Sequence, residues 1–371
     1  DRSPSRGLGD VYKRQIECSY PGVKRGQHDR NLWAKNFRNE IIKKSNLPII
    51  KQSVNLELTN HELPKFFYDS TPCPHRQKGG SVEAEKLLQS FLNKRGENYQ
   101  FEMSSPITAE KSCSRLSTHL TYGTISHRAV FQEATKKRDQ IKHTNKNFAK
   151  SINSFLSRLH WRSHFIQKLE DQPSIEHTSF IPVYDQIREK DEEKLEAWIE
   201  GKTGVHFIDA CMIYLRNYGW INFRMRAMLA SFASYNLWLD WRYFAPRLAA
   251  LFTDFEPGIH YSQIQMQSGT TGINTIRMYN PYKQAMDQDP LAKFIKSQIP
   301  KVKNFPPAFF HNPPKKSLNV NLFDNEFQKE IINVKETAQY ARKKIFDIRK
   351  SQEHKILAKN VYLKHGSRGR S

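Results

Sequence analysis

A chain of 371 residues with 59 Lys+Arg against 37 Asp+Glu carries a formal net charge of +22, which favours a polyanionic partner such as nucleic acid or an acidic surface. Hydrophobic residues make up 38% and aromatics 12%, too many for a disordered chain, and no apolar run reaches the ~18 residues of a membrane-spanning helix. The four cysteines (Cys18, Cys73, Cys113, Cys211) form no C-x-x-C pair, which disfavours a zinc knuckle or disulfide framework and fits a reducing, cytoplasmic compartment.

Residues 1–15 (DRSPSRGLGDVYKRQ) have no periodicity and are expected to be a non-native or disordered tail at the end of a truncated chain. They hold four basic and two acidic residues, so +20 remains for the rest. Residues 16–75, punctuated by Pro21, Pro48, Pro64, Pro72 and Pro74, read as connecting structure with short helices near 30–44. A helix is predicted after Gly79 and Gly80, with Ser81 as N-cap, Leu87, Leu88, Phe91 and Leu92 as its apolar stripe, and Gly96 as its stop. Phe148, Ile152, Phe155, Leu159, Ile166 and Leu169 recur as one buried face of a long helix would. Residues 204–215 and 223–241 also read as helices, the second apolar nearly all round and therefore central. The segment 305–314 reads as a Pro-rich loop, and 325–364 as one or two amphipathic helices. From Glu326 onward twelve basic residues stand against five acidic ones, either a solvated face or a phosphate-contacting arm. Strand alternation is rare, so the expected fold class is all-α.

Several tempting motifs fail. Gly201-Lys202-Thr203 lacks the Gly of a phosphate-binding loop, since Glu196 stands five residues earlier. His160 and His164 lie one helical turn apart, but the Glu of a zinc protease is missing, and the two read as structural. No G-x-G-x-x-G opens a βαβ unit and no G-x-S-x-G exists. Other features ask for a partner. Ser114-Arg115-Leu116-Ser117 precedes a predicted helix, where two hydroxyls and free amides suit a diphosphate, although a serine there is also an ordinary cap. Arg162 and Arg226 fall within apolar helices, and a buried guanidinium needs an anion. Asp254 and Glu256 are natural partners, whether in a plain ion pair or at a ligand.

Together these segments resemble the flavin-binding helical domain of the DNA photolyase/cryptochrome family. The resemblance is carried by Ser114-Arg115-Leu116-Ser117, Gly123-Thr124-Ile125-Ser126 and Trp161-Arg162. It continues through Trp198-x-x-Gly201-Lys202-Thr203-Gly204, Asp209-Ala210-Cys211-Met212 and Gly219-Trp220 to Arg224-x-Arg226, Asp240-Trp241-Arg242, Asn280-Pro281 and Asp289-Pro290. It covers roughly residues 76–310. It implies an all-α, multi-helix FAD-binding domain over 76–310, the end of an α/β lobe and an interlobe connector over 16–75, and a basic helical extension over 311–371. By position it implies FAD contacts from Tyr99, Ser114, Leu116, Ser117, Arg162, Arg226, Asp254, Glu256 and His260, with His260 at the place usually facing flavin N5. Lesion-contacting positions carry Phe155 for Trp, Arg158 for Glu, Phe223 for Asn and Met266 for Trp. Of the family's tryptophan electron relay only Trp241 remains clear. Ile264 replaces the flavin-proximal member, and Tyr261, Tyr235 or Trp238 are the candidate substitutes.

The resemblance implies a blue-light flavoprotein whose excited reduced FAD donates an electron to a pyrimidine photoproduct, with Trp241 and His260 as catalytic candidates. The implied partner is damaged duplex or single-stranded DNA, met by a monomer without metal or membrane. A cryptochrome-like photoreceptor that keeps FAD without repair is the alternative, favoured by the rewritten lesion positions. A flavin-free nucleic-acid-binding remnant is the third reading, opposed by the retained serine and arginine positions.

Overall fold

The computed structural model describes residues 19–26, 29–44, 72–313 and 329–365. The expected tail at 1–15, Cys18 and much of the connector lie outside the described residues. The longer helices are α1 (Arg30–Ile41), α2 (Ser81–Ser90), α3 (His127–Ile141), α4 (Lys146–Asp171), α5 (His206–Tyr218), α6 (Phe223–Ser231), α7 (Trp241–Ala250), α8 (Pro257–Ser268), α9 (Val334–Lys350) and α10 (Gln352–His365). Among the described residues the only β pairing is an isolated bridge between Glu189 and Leu239, so the all-α expectation holds.

The central strut is α4. Asn145 caps it by accepting from the Phe148 amide at 3.0 Å, and it ends at Gln172, just before Pro173. Its predicted stripe is buried from Phe148 through Leu159. That stripe packs with Leu88, Phe91, Tyr99 and Leu116 into one core. The other side of α4 meets α8 so closely that a Cβ on Gly258 would lie 2.8 Å from Ile166 Cα and 2.9 Å from the Phe165 carbonyl. Only glycine permits that approach.

A larger core joins α5, α6, α7 and the segment running to Phe310, around Trp198, Phe232 and Trp241. The apolar stretch 223–241, expected as one helix, is three pieces. α6 ends at Ser231, a π-turn covers Phe232–Asn236, and a new helix starts at Trp241 behind the N-cap Asp240. Trp238 between them takes a left-handed conformation (φ 58°). Gly201-Lys202-Thr203-Gly204 is a structural latch: the Asp209 carboxylate accepts from the Thr203 amide (2.8 Å), the Thr203 hydroxyl (2.6 Å) and the Gly204 amide (2.9 Å). His160 and His164 pack on the Trp33 ring of α1, as structural histidines would. The segment 305–314 contains a short helix, Pro307–His311. α9 and α10 form a hairpin whose Ala341 and Ile345 pack on Ile181, Tyr184, Tyr235 and Trp238. Asn236 of the π-turn ties α9 down, donating to the Val334 carbonyl and the Thr337 hydroxyl, both at 3.0 Å.

Candidate functional site

Three parts of the chain converge: the turn 113–117, the middle of α4, and the α6–α8 region. Arg226, in the first turn of α6, donates to both oxygens of Asp254 at 3.0 and 2.9 Å and from Nε to the Ile221 carbonyl at 2.6 Å. Its guanidinium lies 4.2 Å from the Phe252 ring centre. Burial alone would raise the Asp254 carboxyl, but Arg226, the Ser117 hydroxyl and Arg162 outweigh it and hold the group below the ordinary aspartate range. Asp254 is therefore an ionised carboxylate inside the fold. Arg226 keeps 25% of its side chain exposed while Asp254 keeps 3%, so the pair borders an opening.

Arg162 finds a different anion. Its Nη2 donates to Glu256 at 3.0 Å and to the Thr121 hydroxyl at 3.3 Å, and its Nε donates to the Tyr20 hydroxyl at 2.9 Å. Burial, partly offset by Arg162, pushes the Tyr20 hydroxyl up to about 12. Tyr20 also stacks on His127 at 4.9 Å. Neither Tyr20 nor Thr121 was legible as a site residue, because Tyr20 reaches Arg162 across 142 positions and no local spacing signals it.

The serine turn is held from behind. Arg95 donates to the carbonyls of Lys111 (2.9 Å), Cys113 (2.7 Å) and Ser114 (3.3 Å), and Gln77 donates to the Arg115 carbonyl at 2.8 Å. Arg115 sits at φ 62°, which sends its guanidinium over the Trp220 ring at 3.9 Å. Its Nη1 is buried with no hydrogen-bond partner. Ser114 Oγ accepts weakly from the Leu116 amide at 3.4 Å, Leu116 is buried, and Ser114 and Ser117 are partly open.

His260 on α8 has Nε2 2.9 Å from the Ala245 carbonyl. A carbonyl only accepts, so Nε2 carries the proton and Nδ1 is left as an acceptor. Burial lowers its pKa to about 4, and the ring is neutral near pH 7. Phe255 and Tyr261 flank it, each at 5.3 Å. Tyr261 is 6.4 Å from Trp241, whose Nε1 donates to Ser179 Oγ at 2.8 Å. His260, Tyr261 and Trp241 thus form one aromatic file. Tyr235 and Trp238 belong to the hairpin core instead, and Ile264 is buried in the large core.

The remaining expected residues divide. Tyr99 is buried and touches Phe155 edge-on at 6.3 Å, and Phe155 also packs on Phe91 at 4.8 Å. Arg158 reaches the Tyr99 hydroxyl and lies 5.6 Å from the Trp161 ring. Trp161 and Phe223 are exposed, and Met266 is half-buried. So Ser117, Arg162, Arg226, Asp254, Glu256 and His260 share one neighbourhood, whereas Phe155 lies in the core rather than on the open face.

The donor set fits a flavin dinucleotide. The partly open Ser114 hydroxyl and an unspent buried Arg115 Nη1 suit phosphate oxygens, Ser117 beside them bonds Asp254, and the ionised Arg226–Asp254 pair bordering an opening suits a polar ring edge. A groove at the α9–α10 hairpin and a small cleft at Lys190, Arg242 and Tyr243 both lie away from this site. Both site arginines are instead turned onto carboxylates.

The family model described as the FAD binding domain of DNA photolyase matches residues 155–354. A deoxyribodipyrimidine photo-lyase of Streptomyces griseus is 29% identical over 241 residues, 65% of this chain and 50% of that protein. The crystal structure of a Synechocystis sp. PCC6803 cryptochrome superposes with TM-score 0.69 at 22% identity, over 78% of this chain and 61% of the other. That of an archaeal photolyase from Sulfolobus tokodaii with two FAD molecules gives 0.58 at 29% identity, over 73% and 57%. The chain spans about half the length of the curated relatives it matches. A match across more than half its length, over the helices that carry Arg162, Arg226 and His260, places this chain in the family of the FAD-binding domain of DNA photolyase.

Proposed function

We propose that the chain is the FAD-holding part of a light-driven DNA repair flavoprotein acting on pyrimidine photoproducts. The observation that carries the reading is the ionised Arg226–Asp254 pair set beside the Ser114–Ser117 turn and neutral His260. Ser114, Ser117 and Arg115 would hold the diphosphate, while Arg226, Asp254 and His260 would orient and hydrogen-bond the ring system. When bound, FAD supplies the light-driven electron. The chain's own part is to keep Asp254 charged, His260 uncharged and water away from both. Arg158, Trp161, Phe223 and Arg224 lie at accessible positions near this region, where a basic and aromatic face suits DNA with an extruded lesion. Damaged DNA, duplex or single-stranded, is the proposed partner, and the fold acts as a monomer in the cytoplasm. No helix among the described residues is long and apolar enough to cross a membrane.

A photoreceptor that keeps FAD without repairing DNA is the second reading. It is supported by Phe155, which is buried against Phe91 and Tyr99 and adds no aromatic wall to the open face. Blue illumination of the flavin-loaded protein with an oligonucleotide containing a cyclobutane dimer separates the two. Recovery of intact pyrimidines supports repair, and flavin photochemistry without recovery supports the receptor.

A further inference from the structure

A groove of about 800 Å³ lies where the loop 275–279 faces the α9–α10 hairpin. Its walls include Arg277, Arg342, Phe346, Arg349, Lys350 and Lys355. Among the described residues Arg277, Arg342 and Lys355 have no carboxylate partner. Lys350 has only a 3.9 Å contact with exposed Asp347. Arg349 is fixed by donating to the Asn274 carbonyl at 2.7 Å, and its Nε is buried without a partner. The floor is apolar, from Ile276 and Met278, and Phe346 stands 55% exposed with the Lys350 ammonium 4.6 Å from its ring. The platform is rigid, since α9 is seated through Ala341 and Ile345. The loop is wedged in place at Gly272, where a Cβ would come within 2.0 Å of Ile181 and 3.3 Å of Ala358.

We infer that this groove binds single-stranded nucleic acid, with phosphates on Arg277, Arg342, Lys350 and Lys355 and a base stacked on Phe346. Five cations around an exposed ring match a strand that offers both charge and unpaired π-faces. A duplex would meet the cations but leave Phe346 without a stacking partner. An open groove also lets a chain enter and leave, which a closed nucleotide pocket does not. The inference rests on the reading of the protein as nucleic-acid-binding, but on neither flavin nor repair.

The test titrates the flavin-loaded full chain with a fluorescent, undamaged oligothymidylate of about 12 nucleotides across about 50 to 200 mM salt. The variants are the triple substitution Arg342→Ala, Lys350→Ala and Lys355→Ala, and Phe346→Ala alone, all at exposed positions. The triple variant should bind at least ~10-fold more weakly and lower the salt slope by about 2, at about 0.7 per single-strand contact. Phe346→Ala should weaken the strand ~10-fold with an unchanged slope and leave undamaged duplex binding as it was. Unchanged strand affinity in the triple variant overturns the proposal, as does an equal loss for strand and duplex in Phe346→Ala. Arg224→Ala, run in parallel on a dimer-containing duplex, reports the repair face separately. Its failure to affect lesion binding would count against the proposed function and leave the groove standing.

Discussion

Arg226 and Asp254 stand or fall together. A carboxylate with 3% exposure is tolerable only while a guanidinium meets both of its oxygens, so removing the cation leaves a charge that the fold cannot solvate. Arg226→Ala is expected to cost about 3–5 kcal/mol of stability at neutral pH and to abolish flavin retention. With the arginine gone, only the Ser117 hydroxyl and Arg162 still oppose burial, so the Asp254 pKa rises and the deficit should shrink in acid. Urea unfolding at two pH values and the flavin-to-protein absorbance ratio read both effects, and a variant that purifies with full flavin contradicts the site assignment. The need of both arginines for an anion was legible, because a charged residue on an apolar helix demands one. The pairing was only partly so: Arg162 takes Glu256 and the hydroxyls of Tyr20 and Thr121, and Tyr20 comes from a segment with no motif of its own. Phe155 was assigned by position to the lesion, but a phenylalanine on a buried stripe packs with the nearest rings, here Phe91 and Tyr99.

At the scale of elements, the contact between α4 and α8 sets where Glu256 and His260 stand relative to Arg162. Gly258 makes that contact, and the atoms in its way are backbone, which cannot swing aside as a flexible side chain would. Gly258→Ala should therefore cost about 1–3 kcal/mol and weaken flavin retention by moving α8 outward. Gly79→Ala is the control, since a Cβ there meets nothing within 4 Å and should change stability by less than about 0.5 kcal/mol. Thermal melts of both variants decide it, and equal melting temperatures would remove the close approach from the account. Long amphipathic helices such as α4 were readable because one polar face breaks the pattern every turn. The stretch 223–241 was not, since a segment buried on all sides has no period to lose where the helix unwinds. Asp240, which accepts from the Arg242 amide at 2.9 Å, was the one available sign of a new start.

For the whole molecule, acid is the natural probe, because burial holds several imidazoles in their uncharged form. Burial lowers His127 to about 3, His164 to about 2, and His206 and His260 to about 4, from 6.5. Each is neutral when folded and takes up a proton when unfolded at pH below 6.5. Their contribution is fully present above that pH and is lost as pH falls toward the folded values. Asp209 acts in the opposite sense. Burial, resisted by the Thr203 and Gly204 hydrogen bonds, raises it to about 6 from 3.8, so its protonation favours the fold as pH drops through that window. Near pH 5 the balance is a net uptake of about three protons on unfolding, a loss of ~4 kcal/mol per pH unit. That is steep against a total stability of ~5–15 kcal/mol, so cooperative acid unfolding is expected close to pH 5 rather than at the carboxylate pKa values. The urea midpoint measured from pH 7.5 downward should be level to about 6.5 and then fall. His127→Phe keeps a ring against Tyr20, which stacks there at 4.9 Å, and should lower the slope by about one proton. A midpoint that stays level to pH 5, or a slope that His127→Phe leaves unchanged, would mean that these imidazoles are hydrated in solution and that the helices around the site are looser than this packing.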